Sequence, residues 1–168
     1  LILGAAWKAG YYVIQSEVHG MSQRGGSVSA QILFDKKDVS SPVVMEGSGD
    51  VLIGMEPLET LRYVNLMSKN APIISSTDTV KNMSTYPDER ELLSQFDQLN
   101  NVVLVDTKRY SEELKSKRAG NMILLGVASK HLPITNETWH EVIHEKFAAK
   151  GEAIILKNID AFEFGRNL

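Results

Sequence analysis

The stretch Ser16-Glu17-Val18-His19-Gly20-Met21-Ser22-Gln23-Arg24-Gly25-Gly26 gathers an imidazole, an amide, a guanidinium and three glycines. An arginine in such a place can grip a phosphate or carboxylate through two parallel N–H bonds. His19 can donate a hydrogen bond or shuttle a proton near neutral pH. Glycine lets backbone N–H groups come close to an anion, and open α/β sheets bind ligands beyond the carboxyl ends of their strands. The same residues also suit a plain connection, shaped by its glycines, in which Arg24 pairs with Glu17 or with another subunit. His19, Gly20, Met21, Gln23, Arg24, Gly25 and Gly26 are therefore the candidate contacts to a substrate, coenzyme or partner chain. No residue is assigned a catalytic or metal-binding role.

Two further constellations carry less. His140-Glu141-Val142-Ile143-His144 satisfies the H-E-x-x-H pattern of zinc proteases, in which two histidines one helical turn apart hold the metal and the glutamate polarises a water. Helical spacing makes Trp139, Val142, Ile143 and Phe147 the apolar stripe and puts the histidines beside it, toward solvent. No convincing third ligand follows, so an amphipathic surface helix is the expected reading. Glu56, Glu59 and Arg62 open a helix after a strand; carboxylates suit that end of the helix dipole, and Glu59 with Arg62 is an i,i+3 pair. Asp106, at a strand end, has similar geometry.

The elements that must position these residues follow from periodicity and punctuation. Leu1 to Ala9 reads as a helix ended by Gly10, Tyr11 to Ile14 as a buried strand, and Ser27 to Phe34 as a strand with partial alternation. Lys36-Lys37-Asp38 is a turn. Val51 to Met55 is an apolar strand running into a helix opened by Glu56-Pro57, with Leu58, Leu61, Val64 and Leu66-Met67 as its apolar face. Short strands are expected at Ala71 to Ser75 and Val102 to Asp106. Helices are expected at Asp88 to Phe96, Tyr110 to Leu114, Asn121 to Ala128, Glu137 to Ala149 and Glu152 to Phe164. The alternation of strand and helix predicts an α/β fold, a Rossmann-like open sheet with helices on both faces, in one domain over residues 1–168.

Composition narrows the function classes. The chain has 168 residues, 43% hydrophobic and 23% charged, and a formal net charge of −3 with no basic stripe, which argues against a nucleic-acid or anionic-lipid partner. No apolar run approaches the ~20 residues of a membrane span, so the expectation is a cytoplasmic protein with no membrane partner. Without cysteine, these residues cannot form disulfides, thiolate zinc sites or iron–sulfur ligands. Leu1-Ile2-Leu3-Gly4-Ala5-Ala6-Trp7 reads as the middle of an apolar helix, and a preceding segment is expected.

The loop Ser16 to Val28, SEVHGMSQRGGSV, resembles the signature of the β subunit of indolepyruvate:ferredoxin oxidoreductase, which belongs with the γ domains of pyruvate and 2-oxoglutarate ferredoxin oxidoreductases. Ser41-Pro42, Gly49 to Leu52 running into Met55 to Arg62, Val105-Asp106, Ala119-Gly120-Asn121 before Leu124-Leu125-Gly126, and Lys157-Asn158 with Ala161-Phe162 and Gly165 fit the same family, so the resemblance spans the chain. With His19, Met21 and Gln23 the loop is more similar to the arylpyruvate branch than to the 2-oxoglutarate branch, which usually carries Tyr-Gly-Pro-Glu before the Arg-Gly-Gly. Family members normally begin with a strand and a Gly-Gly-Gln-Gly turn that this sequence lacks.

The resemblance implies a subunit of a CoA-acylating 2-oxoacid:ferredoxin oxidoreductase of EC 1.2.7 type, inactive when isolated. It would bind no cofactor itself. Thiamine diphosphate and [4Fe–4S] clusters are expected on a large α subunit, with coenzyme A as co-substrate and ferredoxin as acceptor. The alternatives are a γ subunit of a pyruvate or 2-oxoglutarate enzyme, a scaffold module, or a standalone dinucleotide-binding protein. The last lacks both G-x-G-x-x-G and the acidic residue that follows it.

Overall fold

The computed structural model describes residues 1–19, 28–81, 85–116 and 119–168. Their contacts cluster into two compact units, 1–45 with 133–155, and 46–132 with 156–168.

In the first unit, helix α1 (Ile2–Lys8) ends where Gly10 takes φ +78°, a left-handed backbone that favours glycine. Strands β1 (Tyr12–His19) and β2 (Val28–Asp35) form an antiparallel pair in which Tyr12 faces Asp35 and His19 faces Val28. The expected buried strand at Tyr11 to Ile14 is thus longer, and it is at most half-buried, with Tyr12 59% exposed. Gln15, and after it Ser16 and Glu17, the two that sequence reads as loop, continue the strand because a two-stranded ribbon tolerates polar side chains on its open surfaces. Ser16 Oγ donates to the Pro42 carbonyl and Val44 N–H to Gln31 Oε1, which lays the 42–44 segment across one face. Helix α6 (Asn136–Phe147) starts at Thr135, whose Oγ1 accepts from Thr138 N–H. It turns Trp139, Val142 and Ile143 inward, as the spacing predicts. Lys8 of α1 reaches Glu141 at 3.0 Å and Glu145 at 2.5 Å, and bonds first to Glu145 and then to Glu141 hold its ammonium above the usual lysine value.

The second unit is built on a parallel sheet, β3 (Leu52–Gly54), β4 (Ile73–Ser76) and β5 (Val102–Val105), in that order. The crossovers carry α2 (Pro57–Arg62) and α3 (Glu89–Ser94); after β5 come α4 (Thr107–Glu113) and α5 (Gly120–Ser129). All four residues of β4 are buried, and successive strand side chains point to opposite faces, so both faces are covered. Ser75 bonds α2 and Ser76 bonds α4, which assigns one helix to each face and confirms the α/β expectation.

Helix α2 is shorter than expected and turns Pro57 and Thr60 inward, while Leu58 and Leu61 are only half-buried. Thr60 can replace an aliphatic side chain there because its hydroxyl has partners. Helix α5 is buried from Met122 to Ser129 on every side, as a central core helix is. The long helix α7 (Glu152–Arg166) meets it at two glycines: a Cβ on Gly126 would collide with the Phe162 carbonyl oxygen, and one on Gly165 with the Ile123 carbonyl oxygen. The helix backbones touch there, so Gly126→Ala should cost about 1–3 kcal/mol or more by overpacking against backbone that cannot yield. Urea unfolding of the variant would show it, and an unchanged midpoint would contradict the contact.

Candidate functional site

The carboxyl edge of the parallel sheet gathers the polar side chains of the second unit. Glu56 caps α2, its Oε2 accepting from Glu59 N–H at 2.8 Å, and its other oxygen accepts from the Tyr86 hydroxyl. Glu56 as a whole is 8% exposed. Burial first, and the bond to Glu56 second, push the Tyr86 phenol above the ordinary tyrosine value. Thr60 Oγ1 donates to the Glu56 carbonyl, so Ser75 Oγ, 2.9 Å from it, is the donor between the two hydroxyls and shares its one proton between Thr60 Oγ1 and the Ser76 carbonyl.

A closed ring of hydrogen bonds stands across β4 and β5. Asp78 N–H donates to Ser76 Oγ at 3.0 Å, and Thr107 Oγ1 donates to Asp78 Oδ2 at 2.6 Å. With the threonine proton so used, the 2.8 Å contact between Ser76 Oγ and Thr107 Oγ1 must take its proton from Ser76. Asp106 caps α4 through Arg109 N–H. Further along, Glu89 accepts from Thr79 and pairs with Lys81 at 3.0 Å, and these two partners, lysine first, hold its carboxyl below the usual range.

Glu56 and Glu59 therefore lie where sequence put them, at a helix start on the sheet's carboxyl side, whereas Arg62 ends the short α2; Asp106, read as a strand end, follows β5 and also caps α4. Glu59 and Arg62 form their i,i+3 pair at 3.3 Å. Sequence reasoning missed Ser75, Ser76, Asp78, Tyr86 and Thr107. The signal was present in Ser75-Ser76-Thr77-Asp78-Thr79, a polar run directly after Ile73-Ile74.

Of the loop proposed as contact site, Ser16 to His19 form the end of β1 and Val28 opens β2. Gly20, Met21, Gln23, Arg24, Gly25 and Gly26 lie outside the described residues, as does the side chain of His19. Strands β1 and β2 pair with each other and not with β3 to β5, so the rule about carboxyl ends of parallel strands applies to the Glu56 and Ser76 edge and not to this hairpin.

In the H-E-x-x-H helix, His144 is exposed and His140 half-buried. Glu141, which would have to polarise a zinc-bound water, is bound to Lys8. No helix among the described residues is long and apolar enough to cross a membrane.

An open parallel sheet with helices on both faces and a polar carboxyl edge defines an α/β protein of the ligand-crevice class. The chain belongs to the pyruvate ferredoxin/flavodoxin oxidoreductase family, which residues 1–168 match. It is 36% identical to the indolepyruvate oxidoreductase subunit IorB of Thermococcus kodakarensis, over 96% of this chain and 83% of that one. The IorB of Archaeoglobus fulgidus is 31% identical, over 99% of this chain and 85% of the relative. Among solved structures, the 2-oxoglutarate:ferredoxin oxidoreductase from Magnetococcus marinus, with 2-oxoglutarate, coenzyme A and succinyl-CoA bound, shares the fold at a TM-score of 0.75 and 20% identity, over 99% of this chain and 27% of that one. The chain is thus a subunit of a 2-oxoacid oxidoreductase and acts with partner subunits.

Two measurements probe the carboxyl edge. Thr107→Val leaves Asp78 and Ser76 each short of a partner and should lower stability by about 1–3 kcal/mol, read by denaturant unfolding. Because the Tyr86 pKa is raised, its contribution to stability is full below the ordinary tyrosine value and is lost as pH rises through the higher folded value. Ultraviolet titration should show a late phenolate that Tyr86→Phe removes; a titration unchanged by the substitution would contradict the raised value of the half-buried, Glu56-bound phenol.

Proposed function

We propose that this chain is the cofactor-free subunit of an indolepyruvate:ferredoxin oxidoreductase that works in the cytoplasm. The observation that carries the reading is similarity to IorB proteins at 31% and 36% identity along nearly the whole chain. The likeness to the 2-oxoglutarate enzyme is at 20%, so that branch, like the pyruvate branch, has less support.

In the assembled enzyme an aryl 2-oxoacid loses its carboxylate as carbon dioxide, the acyl carbon passes to the thiol of coenzyme A, and the electrons released go to ferredoxin. Iron–sulfur clusters take thiolate ligands, and the 168 residues contain no cysteine. The reading therefore assigns the clusters, together with thiamine diphosphate, to a large α subunit. This chain completes the complex, and its Ser16 to Gly26 loop supplies contacts. Arg24 and the Gly25-Gly26 backbone would hold an anionic group of coenzyme A or of the partner, with His19, Gly20, Met21 and Gln23 shaping the same surface.

Purification of the native complex tests the class: the chain should travel with a larger, brown, iron-containing subunit, and recovery alone from its host would count against the reading. Anaerobic, coenzyme A-dependent reduction of ferredoxin should be faster with indolepyruvate than with pyruvate or 2-oxoglutarate; the reverse order would move the chain to another branch. Within the reconstituted complex, Arg24→Ala should lower turnover with coenzyme A, and unchanged kinetics with unchanged assembly would remove Arg24 from the site.

A further inference from the structure

Among the described residues thirteen large apolar side chains are exposed, and eight of them fall in the first unit, the smaller of the two. The largest is Trp7, at 73% exposure, whereas the chain's other tryptophan, Trp139, is fully buried. Trp7 stands one helical turn from Leu3, 38% exposed, so the two make a ridge on one side of α1. The other side of the helix is settled within the unit: Ala5 and Ala6 are buried, and a Cβ on Gly4 would touch Val142 of α6.

Lys8, the residue after Trp7, is bonded to both Glu141 and Glu145 of α6. That pins the helix, so docking through the ridge would order little that is not ordered already. Glu137, Glu141 and Glu145 recur every fourth residue and are exposed, an acidic stripe that Lys8 neutralises only in part. An exposed tryptophan on a rigid helix, edged by charge, is the composition of a binding anchor with a polar rim.

We infer that the Leu3 and Trp7 ridge, with the Glu137 to Glu145 stripe beside it, is a surface on which the partner subunit of the oxidoreductase docks. That subunit would present an apolar pocket for Trp7 and lysines or arginines to the stripe. The inference rests on the functional reading above and names the partner of that assembly. Two observations favour this occupant over a second copy of the chain. The relatives matched along their length are themselves subunits, and in the Magnetococcus structure this fold makes up 27% of a longer chain. A twofold dimer through the same face would also bring two acidic stripes together, like charge against like.

The test uses the full-length chain carrying 5-fluorotryptophan, with the Trp7 resonance assigned by its loss in Trp7→Phe. A soluble gadolinium chelate should broaden the Trp7 resonance in the free subunit and spare it in the complex with the unlabelled large subunit. Trp7→Ala should leave the thermal unfolding midpoint unchanged and weaken association at least tenfold. Glu137→Lys with Glu145→Lys should weaken it severalfold, by a margin that shrinks as salt rises. The surface is overturned if Trp7 is broadened equally in free subunit and complex, if it is already protected in the free chain, or if the free chain is a dimer that Trp7→Ala dissolves. Failure of the wild-type chain to form any complex with an iron-containing subunit would overturn the functional reading, and this partner with it. A complex in which Trp7 stays exposed overturns the surface alone.

Discussion

Two adjacent serines at the carboxyl end of the sheet's central strand impose the arrangement of the second unit. Ser75 and Ser76 are both buried and, as neighbours on a strand, point to opposite faces. A buried hydroxyl without a partner costs about 1–3 kcal/mol, so each face of β4 must bring up a hydrogen-bonding group at one place. Thr60 answers on one face and Thr107 on the other. These two threonines set where α2 and α4 begin their passage over the sheet, and Gly54, where a side chain would collide with Thr60, has to be bare for the first of them to fit.

The same economy recurs where α5 meets α7. A helix buried on all sides cannot use polar side chains to choose its neighbours, and here the choice is made by shape: Gly126 and Gly165 each admit the other helix's backbone. Hydroxyls orient the helices that cover the sheet, and absent side chains orient the helix pair.

Much of the fold was legible in the sequence because its signals are local. The apolar runs at Ile73-Ile74 and Val102 to Val105, the helix openings at Glu56 and Asp88, and the stripe Trp139, Val142, Ile143 all lie where periodicity and punctuation put them. What was not legible depends on residues distant in sequence. Strand β1 runs on through Gln15, Ser16 and Glu17 because β2 lies beside it, and polar composition alone cannot announce a partner strand. The ring of Ser76, Asp78 and Thr107 joins residues about thirty positions apart, with only the polar run after Ile74 as a trace. The Ser16 to Gly26 motif identified the family without revealing that its strands form a ribbon separate from the parallel sheet.

That ribbon also bears on how free copies of the chain would meet. Among the described residues neither β1 nor β2 pairs with a third strand, so each offers eight residues of backbone along an open edge, and the interior of β2 from Val28 to Phe34 has neither proline nor charge to blunt it. Open edges of this kind recruit other strands, including those of identical chains. An isolated copy would therefore meet another copy first along this ribbon, where edge-to-edge pairing of strands could begin.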